Sequence, residues 1–437
     1  MEILCVIAAI ALLVVLIAWL KVQPFLAFLL TSLAAGIMLG MPLAAIPGSI
    51  EKGIGDTLGG LLGIICLGAM FGKLIAQSGA ARKIALVLMN LFGEKRITWA
   101  LMVTGFIVGI PLFYNVGFVL LIPLVFSVVY QSRLPAVYLG VALLASLSVT
   151  HCFLPPHPSP TAIVPMFNAS MSTTLVYGLI IAVPAMIVAG PLFARSFRSW
   201  TAVTPQLFKP EEVDERNLPG TFNCFATALL PVLIIALSAA LPPAATGEST
   251  GLAVLRFLTN PLVVMLLSLL VATVTLGTAR GFKLPFLMEG YAGSVKDVAV
   301  ILLIIAGAGA LKQVFIDTGV SRELSTVLQG LHMNPLLLGW LITALIRVSL
   351  GSATVAGLTS AGIMAPVVAA TGANPNLMVL AIGAGSVMFS HVNDSGFWMF
   401  KEYFNLNLKQ TLLSWSVMEI IIGVMGLIGV LVLDVFV

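Results

Sequence analysis

Residues 150–161 read THCFLPPHPSPT and residues 390–398 read SHVNDSGFW, two polar interruptions inside apolar runs. The first carries His151 and His157, the hydroxyls of Ser159 and Thr161, and four prolines including Pro156. The second carries Ser390, His391, Asn393 and Asp394. A helix broken at such a point exposes backbone N–H groups and a positive dipole end, which favour an anion. Pro155, Pro156, Pro158 and Pro160 lack an amide donor and fix φ, so the first break is permanent. Imidazoles at these breaks can relay a proton or hydrogen-bond substrate hydroxyls. Two further stretches offer similar chemistry. GSAT, residues 351–354, brings Gly351 for close backbone approach and the hydroxyls of Ser352 and Thr354, and FYN, residues 113–115, brings the Tyr114 phenol and the Asn115 amide. Hydroxyls, amides and imidazoles with little net charge suit a small polyhydroxy anion, whereas a phosphorylated substrate would call for more Arg and Lys.

Ionisable residues within apolar runs are functional candidates in their own right. Asp394, His391 and Glu419, the last in WSVMEIIIGV, are candidates for proton coupling. Arg347 in ALIRVSLGS either snorkels or balances an anion near the GSAT stretch. An enzyme is not expected. His151, Cys152 and His157 match no HExxH-type spacing, and the surrounding prolines deny them a common helical face. No cofactor, metal or nucleic-acid partner is expected either. The four cysteines lie in apolar surroundings without a CxxC pair and read as small buried hydrophobes.

These residues need elements to hold them, and composition says of what kind. The chain has 437 residues, 60% hydrophobic and 9% charged, with mean hydropathy +1.13, against roughly 25% charged in soluble domains. Apolar runs approaching the roughly 20 residues a bilayer crossing needs recur along its length, which defines an all-α polytopic membrane protein. The run from Ile3, ILCVIAAIALLVVLIAWL, has no basic flank or small-residue cleavage site and reads as a retained first helix.

An internal repeat organises the runs. Shifting the chain by 237–240 positions places Pro24 on Pro261, Gly53 on Gly293, Arg82 on Arg322, His151 on His391 and MFN at 166–168 on YFN at 403–405. The copies are residues 1–195 and 223–437, joined by a polar linker at 196–222. Each copy is expected to make five crossings, at about 3–20, 24–41, 56–77, 136–165 and 173–194, then 223–241, 261–277, 297–316, 376–400 and 411–433. The fourth of each set is the broken one. Before it lies an apolar stretch interrupted at its centre, 97–131 and 335–370, which reads as a re-entrant hairpin because irregular backbone at membrane depth must face protein or a water-filled cavity. Five crossings would insert the copies in opposite orientations. Following the chain on that basis, fifteen Lys and Arg fall on one side and Lys52, Arg256 and Arg322 on the other. By the positive-inside rule both termini then face outward and the linker is cytoplasmic. Inverted repeats with paired interrupted segments are the pattern of secondary transporters, with substrate bound at the breaks.

In chain order, GMPL, SVTHCFLPPHPSPTAI, LGSATVAG and SHVNDSGFWMFKEYFN resemble the gluconate permease family of gluconate–proton symporters within the ion transporter superfamily. The resemblance covers essentially the whole chain. It implies a bacterial inner-membrane symporter with two re-entrant hairpins and two unwound crossings, moving gluconate or a related sugar acid with protons. It also implies a homodimer with an elevator-type motion. Family relatives carry idonate, fructuronate or D-serine. HVND at 391–394 and PPHP at 155–158 resemble the sugar-acid carriers more than the D-serine carriers. A carrier of another small hydroxy or amino acid anion, or a sodium-coupled carboxylate carrier, is the alternative.

Overall fold

Proline, glycine and side-chain amides set the helix ends. Four helices begin with proline in the first turn, where its missing N–H costs nothing, directly after an amide side chain that caps it: Gln23–Pro24, Asn260–Pro261, Asn334–Pro335 and Asn374–Pro375. The computed structural model describes residues 2–200, 218–241, 249–319, 333–392 and 394–437. Asn393, Arg322 and most of the expected linker, 201–217, lie outside the described residues.

The described residues form helices and no strand. The first half contains α1 (Glu2–Val14), α2 (Pro24–Met38), α3 (Ile46–Gln77), α4 (Ala80–Phe92), α5 (Ile97–Gly109), α6 (Tyr114–Ser132), α7 (Ala136–Phe153), α8 (Pro158–Met166) and α9 (Met171–Ile187). The second contains α10 (Thr221–Ser238), α11 (Thr250–Thr259), α12 (Pro261–Ala272), α13 (Leu284–Asp317), α14 (Pro335–Leu350), α15 (Ala353–Thr371), α16 (Pro375–Ser386), α17 (Ser395–Tyr403) and α18 (Leu408–Leu433). Eight spans among the described residues are long and apolar enough to cross a membrane, so this is a multi-pass membrane protein.

The helix lengths differ from the sequence reading in two ways. α3 and α13 run 32 and 34 residues, about 50 Å each. Both start well before the expected crossings because polar residues such as Lys52, Asp56, Lys296 and Asp297 do not interrupt the backbone ladder. α1, α2 and α16 are shorter than a crossing requires. α1 gives way to a π-turn at Val15–Trp19, α2 ends before Gly40 at a left-handed φ of 76°, and α16 stops at the second break.

α3 and α13 lie along one another, and α2, α8 and α15 pack beside them. Small residues permit the approach. A methyl on Gly53 would stand 2.9 Å from the Ala310 Cα, inside any real contact distance. A second group, α7, α9, α16 and α18, forms the centre of the molecule. α5 packs on α7, and α14 packs on α16, so the first arm of each helix–turn–helix pair rests on the helix that leads into a break.

Both breaks are followed by a nine-residue helix, α8 and α17. Each of these ends on a phenylalanine, Phe167 or Phe404, followed by an asparagine in left-handed backbone, Asn168 at φ 54° and Asn405 at φ 50°. Asparagine tolerates that conformation better than most residues, which accounts for the recurrence of MFN and YFN.

Candidate functional site

Three helix starts and one buried arginine meet at a cavity of about 380 Å³. α6 presents Phe113 and Tyr114 at its N-terminus, α15 presents Ser352 and Thr354, and α17 presents Ser395 and Gly396. Each start exists because the chain turns sharply just before it. Gly351, at φ 75°, ends α14 in the left-handed conformation that glycine adopts freely, and Ser352 then caps α15 by accepting from the Val355 N–H. Asp394 caps α17 by accepting from the Gly396 N–H at 2.9 Å.

Arg347 sits one turn before Gly351 and is 2% exposed. Its Nη2 donates to Asp394 Oδ2, forming the buried ion pair of the site. Its Nε and Nη1 have no hydrogen-bond partner among the described residues. A guanidinium offers five N–H donors in a fixed fork matched to a carboxylate, so Asp394 uses only part of it. Arg347 is also the one Lys or Arg among the described residues lining the cavity.

The Asp394 carboxylate is held from several sides. Ser390 donates its hydroxyl to Oδ2, Trp415 Nε1 donates to the Ser390 oxygen at 2.8 Å, and Ser416 donates to the Ser390 carbonyl. Trp415 and Ser416 belong to a π-turn at Leu412–Ser416 inside α18. A π-turn shifts the angular position of the residues in it, and such turns recur at functional sites.

α7 completes the wall. His151 and Cys152 line the cavity, and Ser148 donates to Glu419 Oε1 of α18 at 2.6 Å. Among the described residues the buried Tyr114 hydroxyl and His151 Nδ1 have no hydrogen-bond partner, and the two rings lie 6.0 Å apart. Buried polar groups in proteins are normally satisfied. Three groups on one cavity, those of Arg347, Tyr114 and His151, lack partners among the described residues, and a ligand there could supply them. Asp297 of α13 stands exposed at the edge of the same cavity.

Of the residues singled out in the sequence, Tyr114, His151, Gly351, Ser352, Thr354, Asp394 and Glu419 line this cavity, and Ser390 stands directly behind Asp394. Others are placed elsewhere. His157 Nε2 donates to the Gly109 carbonyl at 2.8 Å, and His157 and Pro156 line a much smaller gap near Phe71 and Pro111. Ser159 and Thr161 are buried in α8 away from the cavity. His391 bonds the Val348 carbonyl at 3.0 Å and does not reach the cavity wall. Asn115 lies in the first turn of α6, with its side chain outside the described residues, as is Asn393. Sequence reasoning left Ser148, Trp415 and Asp297 out. Ser148 lies one helical turn before Cys152 and three residues before His151, a spacing that could have pointed to it.

No group of three or more His, Cys, Asp or Glu side chains suited to a metal occurs among the described residues. What the cavity can do is hold a small anion by its charged end and hydrogen-bond its polar remainder.

An all-helical multi-pass protein with broken helices around a cavity that holds polar and charged side chains has the build of a membrane transporter. Two solved structures share the fold. The Alcanivorax borkumensis YdaH transporter, described as having an unusual topology, superposes with a TM-score of 0.65 at 15% identity over 94% of this chain and 97% of its own. Neisseria gonorrhoeae MtrF, from a class of antimetabolite efflux pumps, gives 0.60 at 17% identity over 90% of this chain and 83% of its own. The sequence pattern described as GntP family permease matches residues 1–436, and the chain belongs to that family. It is a permease, not an enzyme. The Gnt-II system L-idonate transporter of Escherichia coli K12 is 46% identical, and a high-affinity gluconate transporter of the same organism is 45% identical, each over 99% of both chains. A gluconate permease of Bacillus licheniformis is 42% identical over the full length of both.

Proposed function

We propose that this permease imports gluconate or a closely related sugar acid by proton symport across the bacterial inner membrane, using the cavity between α6, α7, α15, α17 and α18 as its binding site. The observation that carries the reading is Arg347, a buried guanidinium with two unpaired nitrogens on the wall of a cavity big enough for a six-carbon acid. The substrate carboxylate takes the free nitrogens of Arg347 and the positive start of α15, and its hydroxyls take the Tyr114 phenol and His151 Nδ1. The names of the relatives, gluconate and L-idonate carriers, agree with such a ligand.

In this reading the chain is two inverted repeats, 1–195 and 223–437, with re-entrant hairpins at 97–131 and 335–370 and both termini outside. It works as a homodimer. The matched pairs α5–α7 and α14–α16, and the matched Phe–Asn ends of α8 and α17, support the repeat.

The test is uptake of labelled sugar acids into proteoliposomes under imposed gradients. Saturable gluconate accumulation against its gradient, driven by an inward proton gradient and competed by L-idonate, is the expected result. Accumulation driven by sodium alone, or uptake that only equilibrates, would overturn it.

A further inference from the structure

The cavity carries more negative than positive groups. Arg347 is matched by Asp394, and Glu419 remains. Glu419 is 3% exposed, and its hydrogen-bond partner among the described residues is the uncharged Ser148 hydroxyl at 2.6 Å. The ionisable groups that line the cavity with it are His151 and Cys152 from α7, Tyr114 from α6, Arg347 from α14 and Asp394 from the second break, with exposed Asp297 of α13 at the edge. α9 and α16, which also pack on α18, bring no charged side chain. Arg347 is the only cation in this set, and it is within ion-pair distance of Asp394, not of Glu419. An ionised carboxylate buried beside a hydroxyl alone is poorly compensated. Bringing a second carboxylate, that of the substrate, into the same cavity makes it worse.

We infer that Glu419 carries the coupled proton and that Asp394 is the fixed counter-ion of Arg347. The inference rests on the symport reading above. A proton from the aqueous side adds to the Glu419 carboxylate, forming a neutral acid, and the substrate anion then enters next to Arg347. On the other side the anion leaves and the O–H bond breaks, returning the proton to water. Binding of either species favours binding of the other, because the proton removes the negative charge that repels the anion and the charge of the anion draws the proton. Ser148 ties this group to α7, so proton occupancy is felt by the helix that leads into the first break.

The experiment compares wild type, Glu419→Gln, Asp394→Asn and Ser148→Ala in proteoliposomes with labelled gluconate and an internal pH indicator. Glu419→Gln mimics the protonated state. It is expected to exchange gluconate across the membrane with no dependence on pH, to move no protons with it, and to lose accumulation. Ser148→Ala displaces the pH profile of accumulation, and Asp394→Asn still moves protons with whatever gluconate it carries. Proton-driven accumulation by Glu419→Gln at the wild-type level overturns the assignment. So does a Glu419→Gln protein that reaches the membrane yet exchanges nothing while Ser148→Ala keeps the wild-type pH profile. If wild type itself moves no protons with gluconate, symport fails, and that result is distinct from either of these.

Discussion

The two breaks occupy matching places in the two halves but are filled differently. In the first, residues 154–157 are all buried, proline and leucine dominate, and the one polar side chain, His157, is spent on the Gly109 carbonyl of α5. In the second, residues 387–394, exposed Phe389 and Val392 alternate with polar groups, and Asp394, Arg347 and Trp415 on the cavity wall form one connected network with Ser390 and Ser416 behind it. Phe389 even adopts a left-handed φ of 49°, unusual for an aromatic residue. The comparison teaches that a break can serve as a fixed joint or as a binding site, and that its residue types decide which. Proline removes donors and leaves nothing to bind with. Serine, aspartate and the bare N–H groups of a following helix leave donors and charge in the open.

The sharpest way to break this contrast is to cut the network of the second break. Arg347→Gln removes one partner of a buried ion pair, which typically costs about 3–5 kcal/mol because the remaining charge is uncompensated. Loss of gluconate binding and a large drop in thermal stability are expected together. The double variant Arg347→Gln, Asp394→Asn removes both charges, so it should regain most of the stability while binding stays absent. Denaturation of the detergent-solubilised proteins, with gluconate binding measured alongside, separates the two effects. Binding restored in the double variant would show that Arg347 holds the fold and not the anion.

The next effect is smaller and opposite in sign for stability and affinity. The Tyr114 hydroxyl is buried without a partner among the described residues, so Tyr114→Phe removes an unsatisfied group and leaves the empty protein as stable as wild type or slightly more so. With substrate bound, it loses a hydrogen bond worth about 0.5–1.5 kcal/mol, a few-fold to about tenfold in Kd. The loss should appear for gluconate and not for hexanoate, which has the carboxylate but no hydroxyls to offer. Equal weakening of both ligands would mean that Tyr114 shapes the cavity and makes no hydrogen bond to substrate.

The positions of the breaks were legible in the sequence because they rest on local chemistry: proline clusters, Gly351 and the polar run from Ser390 interrupt apolar stretches where nothing else does. Helix starts at Asn–Pro pairs belong to the same class. The contents of the site were less legible, because they depend on pairs far apart in the chain. Asp394 meets Arg347 from 47 positions away, and Glu419 meets Ser148 from 271. No spacing rule predicts such meetings. The π-turn at Leu412–Ser416 has no sequence signature either, although it presents Trp415 and Ser416 to Ser390. His151 and His157, six residues apart in one motif, show the limit in miniature. Pro155 and Pro156 separate them, so one ends α7 at the cavity and the other starts α8 beside α5.

His157 gives the smallest expected effect on affinity and the finest test of the contrast. Its Nε2 donates to the Gly109 carbonyl at 2.8 Å, in a buried setting that joins the first break to the end of α5. A glutamine keeps an N–H donor of similar reach, so His157→Gln should transport gluconate with unchanged affinity. A leucine has no donor and leaves the carbonyl buried and unpaired, which costs about 1–3 kcal/mol. His157→Leu is therefore expected to melt earlier while its folded fraction binds gluconate as wild type does. The two variants differ in stability and agree in Kd, the signature of a joint. If His157→Gln instead weakens gluconate binding as much as Tyr114→Phe, the imidazole reaches the substrate in some state of the transport cycle, and both breaks share in binding.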